Sequence, residues 1–179
     1  MREVARGGVA MPTRRFQMRP LDVAELSIAL DLLSEAARWE ISIGLPHPWP
    51  QPFPASRILP AAERNELFVA EETPGTAIGT LTLQWEDVPF WGVRPPDAGY
   101  VHRLAVRRDR AGQNVGGRML AWAEGEVRAR GRGFVRLDCL KESSRLHRYY
   151  ESFGFRRVGE VTQGGLECSL FEKALGPSG

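Results

Sequence analysis

The stretch VHRLAVRRDRAGQNVGGRML, residues 101–120, gathers residue types suited to holding an anion. An apolar run containing Val101, Leu104, Ala105 and Val106 gives way to a charged turn carrying Gly112, and a helical pattern begins at Val115. A strand that ends in a glycine-bearing turn and a helix N-terminus exposes backbone N–H groups beside the positive end of a helix dipole. The amides of Gly112, Gln113, Asn114, Val115, Gly116 and Gly117 cluster there, an arrangement that suits a diphosphate. The lysine-bearing nucleotide loop GxxxxGK and the GxGxxG dinucleotide fingerprint are both absent, which disfavours a nucleoside triphosphate or a nicotinamide cofactor.

The charge around this loop is arginine. Between Val101 and Arg132 there are eight arginines against three acids, and the only lysines of the chain are Lys141 and Lys173. With a net charge of +2 over 179 residues, this is local steering toward an anion and not a nucleic-acid face. Cys139 and Cys168 form no CxxC, and no His cluster stands at ligand spacing, so neither a disulfide framework nor a metal site is expected. No apolar run approaches the ~18 residues a membrane span needs, and the first residues lack a hydrophobic signal core, so no membrane association and a cytoplasmic setting are expected. Residues 1–14 read as a flexible extension, with Met1 or Met11 as the start, ahead of a single domain over residues 15–175.

The elements that must position the loop follow from periodicity. Residues 15–18 can form a strand; Asp22 can cap a helix, with Glu25 completing a capping box, and Leu26, Leu30, Leu33 and Ala37 mark one apolar face of a helix ending near Glu40. The five prolines of residues 44–57 rule out regular structure there. A short helix over ASRILPAAERN precedes a hairpin of residues 67–71 and 77–85, where Leu81, Leu83 and Trp85 alternate with polar residues. A second irregular insert, EDVPFWGVRPPDAG, leads into the strand at 100–107. Met119, Ala123 and Val127 repeat every four residues along a helix to about Arg130. Val135, Leu137 and Cys139 alternate as a strand, Leu146, Tyr149, Tyr150 and Phe153 trace a helix, and a final hairpin spans 155–161 and 166–171. The order is an α/β layer architecture with a mixed sheet.

Against this background, AVRRDRAGQNVGGRMLAWAE resembles the acetyl-coenzyme A loop of the GCN5-related N-acetyltransferase (GNAT) superfamily, whose pattern Gln/Arg-x-x-Gly-x-Gly/Ala falls on Ala111, Asn114 and Gly116. Arg110 stands one position before the altered first anchor. At Asn114 the usual glycine either reaches positive φ, which Asn tolerates best, or clears space for a phosphate, which a side chain would obstruct. LDCLKESSRLHRYYESFGF resembles the superfamily's next strand and helix, with Tyr150 four positions before Gly154 and with Phe155 in place; Ser143, Ser144 and Arg145 stand where Asn-Pro-Ala is common. The resemblance covers most of the chain. It implies a mostly antiparallel twisted sheet of six to seven strands, with about four flanking helices and splayed central strands. It also implies acetyl-CoA as co-substrate, without a metal.

By that resemblance the backbone around Leu104, Ala105 and Val106 meets the pantetheine, residues 112–117 hold the pyrophosphate, Arg110 and Ser143 add contacts, and Tyr150 gives a proton to the departing thiolate. His102 is similar to a histidine that arylalkylamine N-acetyltransferases use to relay the amine proton, and an ordinary imidazole pKa near 6.5 suits a base. Tyr100, His102, Leu104 and Val106 are expected on one face of their strand. Trp39, Trp85, Trp91 and Tyr100 are expected to line the cleft for a small-molecule amine. Glu86, Asp87 and Asp97 read either as amine-binding acids or as solvated loop charges. Cys139, alternating with Val135 and Leu137, reads as core and not as an acyl carrier, so direct transfer in a ternary complex is expected. A non-catalytic acyl-CoA-binding domain is the alternative, and many relatives form homodimers.

Overall fold

The computed structural model describes residues 16–176; the expected N-terminal extension and both candidate starts lie outside them. Seven strands form one sheet, β1 (Gln17–Pro20), β2 (Leu67–Glu71), β3 (Ala77–Gln84), β4 (Ala98–Val106), β5 (Phe134–Leu140), β6 (Arg156–Gln163) and β7 (Leu166–Ala174), in the order β1-β2-β3-β4-β5-β7-β6. Every pairing is antiparallel except β4 with β5. Among the described residues five α-helices accompany it: α1 (Leu26–Ser42), α2 (Leu59–Glu63), α3 (Val88–Trp91), α4 (Val115–Ala129) and α5 (Ser144–Ser152).

Asp22 starts the first helical segment as the sequence suggests, its carboxylate accepting from the N–H groups of Ala24 and Glu25. The buried stripe of α1 is Ala29, Leu32, Leu33, Ser34 and Ala37, rotated from the expected one so that Leu30 is only half-buried. The insert after β3 is not wholly irregular. Pro89, in its first turn, is tolerated there because the N–H it lacks would have no partner inside a helix, and α3 forms where the sequence reads as loop.

Two cores sit on the two faces of the sheet. On one, α4 and Tyr150 of α5 pack with Leu81, Leu83, Val101, Val135, Leu137 and Phe171. On the other, α1 and α2 cover Leu67, Val69 and Ala105. Gly99 has no room for a side chain, because a Cβ there would run into Val127 of α4 and Leu83.

The feature that makes the site is the divergence of β4 from β5. The two strands pair from Ala98 with Phe134 to Val101 with Leu137 and then part, although β4 continues to Val106 and β5 to Leu140. Arg103, at φ +52°, forms a bulge in β4 there, seen also as a register shift against β3 between Thr80 and Thr82. One added residue reverses the alternation. Leu104 and Val106 therefore pack toward the α4 core, whereas Tyr100 and Ala105 lie on the opposite side. The expectation that Tyr100, His102, Leu104 and Val106 share a face is corrected accordingly.

Candidate active site

His102 and Asp138 are the first residues beyond the last β4–β5 pair, so they stand where the strands part. His102 Nδ1 is 3.3 Å from Asp138 Oδ1, and His102 Nε2 is 3.0 Å from Asp87 Oδ2 at the start of α3. The contacts are close but out of line: Asp87 Oδ2, His102 Nε2 and Asp138 Oδ1 are buried without an aligned hydrogen bond among the described residues. Burial works against a charged imidazole, but Asp138 and then Asp87 outweigh it and push the pKa up to about 9. His102 is thus held as an imidazolium at neutral pH, contrary to the expected base with an ordinary pKa. The three donors lie within 4.8 Å of one another. The carboxylates, however, face opposite nitrogens of one ring, and this suits a clamp on an imidazolium better than a chelate for one ion.

Tyr150 lies across the sheet in the α4 core, against Tyr149, Phe155 and Phe171. Burial, then the neighbouring Cys139, Tyr149 and Asp138, raises its pKa, so the phenol keeps its proton. Cys139 is buried too, and its thiol is pushed up to about 12 by burial and by Asp138 and Cys168. That leaves no thiolate for an acyl carrier.

The glycine-bearing turn leads into α4 where the sequence places it. Asn114 is the residue before α4, at φ +55°, in the left-handed region where Asn is tolerated, and its side chain caps no helix N–H. Of the two readings of the glycine usual at this position, the backbone requirement is thus met by Asn. Gly112 is also at positive φ. Val115, Gly116 and Gly117 occupy the first turn, where N–H groups have no partner inside the helix. Gly116 and Gly117 are needed because α5 presses on this turn. A methyl at Gly116 would collide with the Tyr149 hydroxyl, and one at Gly117 with the Phe153 ring and Asn114 Oδ1. Gln113 turns its side chain back to the Asp109 carbonyl, and Ser143 sits at the start of α5 without capping it. Arg110 is not free for a phosphate: its guanidinium is forked onto Glu72 and also meets Asp109.

On the face opposite α4, a cavity of about 690 Å³ opens beside the triad, lined among others by Trp85, Phe90, Tyr100, His102 and Arg103. Of the expected cleft aromatics, Tyr100 and Trp85 reach it. Tyr100 is buried and its hydroxyl accepts from Arg136, while the Trp85 ring is faced by Arg130 at 3.8 Å. Trp39 and Trp91 lie elsewhere. Trp39 lies under Arg108 and Arg145, tying α1 to the loop and to α5, and Trp91 is a core residue against Tyr100 and Arg136. Neither lines the cavity. Phe90, tilted over His102 at 5.8 Å, lines it instead. The sequence reading missed Asp138 and Arg103. A charge at Asp138 inside a buried strand was a usable signal, whereas nothing in the sequence marks the bulge.

Fold and site together define an α/β protein with an amide-lined anion loop on one side of a split sheet and a polar cavity on the other. Residues 32–155 match the acetyltransferase (GNAT) family, and the chain belongs to that family. It is 34% identical over 118 residues to the uncharacterized N-acetyltransferase YesJ of Bacillus subtilis, covering 63% of each protein. The chain thus spans just under two thirds of that curated relative. Among solved structures, a GNAT-family acetyltransferase from Listeria monocytogenes superposes with a TM-score of 0.75 at 24% identity, over 89% of this chain and 95% of that one. YncA from Salmonella typhimurium, solved with its cofactor acetyl-CoA, gives 0.65 at 15% identity over 92% and 96%.

Proposed function

We propose that the chain is an acetyl-CoA-dependent N-acetyltransferase that passes the acetyl group directly to a primary amine, with a small molecule as acceptor. The observation that carries this is the split between β4 and β5, with an amide-lined turn at its outer end and the Asp87–His102–Asp138 cluster at its apex. Membership of the GNAT family supports it.

The Arg107 N–H donates back to Ile78 on β3. By strand alternation, Leu104 and Val106, on either side of Ala105, turn their backbone groups to the open side, where an extended pantetheine would add like a strand. The N–H groups of residues 112–117 would take the diphosphate, with Ser143 at the neighbouring helix start. Acetyl-CoA supplies an acyl thioester, and the chain has to orient an amine, accept its proton and donate one to the leaving sulfur. Tyr150, kept protonated, is the donor. The amine proton passes to a carboxylate of the His102 cluster, Asp87 or Asp138, because the imidazole is already charged and has no free lone pair to accept it. The buried, protonated Cys139 supports direct transfer without an acyl-enzyme.

The test is the melting temperature with acetyl-CoA, with ATP as control, followed by thiol release over a panel of amines. At a hundredfold excess over Kd, acetyl-CoA should add ~2.7 kcal/mol, roughly 5–10 °C for a chain of this size. No shift overturns the reading. Binding without turnover of any amine would point to the non-catalytic acyl-CoA domain instead.

A further inference from the structure

The cavity beside the triad contains an arginine that the fold does not use. Arg19, Arg110 and Arg136 each hold two carboxylates, Glu25 and Glu71, Glu72 and Asp109, and Asp97 and Glu172 respectively. Arg103 is half-buried and lines the cavity, yet among the described residues it has no hydrogen-bond acceptor and no carboxylate within ion-pair distance. It is placed there by a left-handed backbone that a residue with a side chain adopts at a cost. Burial and the nearby Arg57 both lower its pKa, offset in part by Asp138 and Asp87. An unpaired, partly desolvated guanidinium beside a second cation is an unfavourable arrangement until an anion arrives.

The adjoining wall has the opposite character. Asp87, just before α3, lines the same cavity as Arg103, and its Oδ2, 3.0 Å from Nε2 of His102, the residue before Arg103 on β4, has no aligned donor. A carboxylate and a five-donor fork lining one cavity are complementary to a molecule that carries an ammonium and a carboxylate close together.

We infer that the acceptor is an amino acid, with its carboxylate on Arg103 and its amine directed to Asp87 and the His102 cluster. This rests on the N-acetyltransferase reading and adds the substrate class. A peptide N-terminus lacks the nearby carboxylate, and a simple alkylamine leaves Arg103 unpaired.

The experiment uses the full chain and matched sets of probes: α-amino acids, their carboxamides and their decarboxylated amines. Coenzyme A binding by calorimetry is measured first and reports on the underlying reading separately. The coenzyme A-loaded protein is then titrated with the three sets, and thiol release gives kcat/KM for each with acetyl-CoA. Amino acids should be preferred over both counterparts by about 10- to 100-fold, mainly in KM. In Arg103→Gln that preference should fall by a similar factor, Arg103→Lys should keep part of it, and Arg57→Gln, at an exposed position, should lose less. Equal use of carboxamides or amines, a preference unchanged in Arg103→Gln, or coenzyme A binding with no amino acid binding would each overturn the assignment.

Discussion

Replacing Asp138 by Asn removes one of the two carboxylates that hold His102 charged, while keeping the side chain's size. In the native site burial pulls the imidazole pKa down and Asp138 and Asp87 raise it to a net value of about 9, with Asp138 the stronger of the two. A close opposite charge is worth about 1–3 units, so Asp138→Asn should bring His102 down to roughly 6–8. The consequence for stability has a definite sign. Because the folded pKa lies above the unfolded value near 6.5, the charged imidazole stabilises the fold fully below pH 6.5, and that contribution is lost as pH rises through 9. With the side chain only 13% exposed, the contribution is about 3 kcal/mol, equivalent to roughly 6–12 °C in melting temperature between pH 6 and pH 10. Two measurements check this: a proton NMR titration of the His102 ring, with His102→Asn identifying the signal, and melting curves across pH for wild type and Asp138→Asn. Wild-type titration near 6.5, or an unchanged midpoint in Asp138→Asn, would refute the clamp and return His102 to the role of an ordinary base.

Three further outcomes follow from the geometry. Asn114→Gly should melt close to wild type, because φ +55° suits glycine, whereas Asn114→Ala should cost ~1–2 kcal/mol in the same assay. Gly117→Ala drives a methyl into the Phe153 ring and Asn114 Oδ1 and should cost about 1–3 kcal/mol by denaturant unfolding; combined with Phe153→Ala the penalty should be less than additive, since the ring, one of the two colliding groups, is gone. Cys139, buried with its thiol pKa pushed up to about 12, should resist iodoacetamide at pH 8 in the folded protein and react only after denaturation, as read by mass spectrometry.

Much of this molecule was legible before its structure. The β2–β3 hairpin, the repeat of Met119, Ala123 and Val127 and the glycines of the anion loop are local signals, since alternation, four-residue spacing and positive φ are properties of short segments. The short helix α3 was not readable, because Pro89 inside it and Gly92 just after it read as loop signals and a single turn is too short to show periodicity. The Asp87–His102–Asp138 cluster was half readable. His102 stood out by type, but Asp87 read equally as a solvated loop charge, and Asp138 meets its partner only through the pairing of Val101 with Leu137. Trp39 and Trp91 do not line the cavity, and the sequence could not show this because an aromatic near a cleft and one pinned by arginines have the same sequence appearance.

The bulge at Arg103 accounts for why the two halves of the site face opposite ways. A regular strand would place His102, Leu104 and Val106 on one side of the sheet, so the proposed acid–base cluster and the proposed strand contacts to the acetyl donor would share that face. One added residue at positive φ separates them. Leu104 and Val106 pack with α4, next to the amide loop, while His102 and Arg103 turn toward the cavity under α3. The strain of that conformation is confined to one residue, at the point where β4 has lost its pairing with β5 and is free to deform. On the proposed function, a donor entering from the loop side and an acceptor entering from the cavity side would then meet at the apex of the split, as direct transfer in a ternary complex needs.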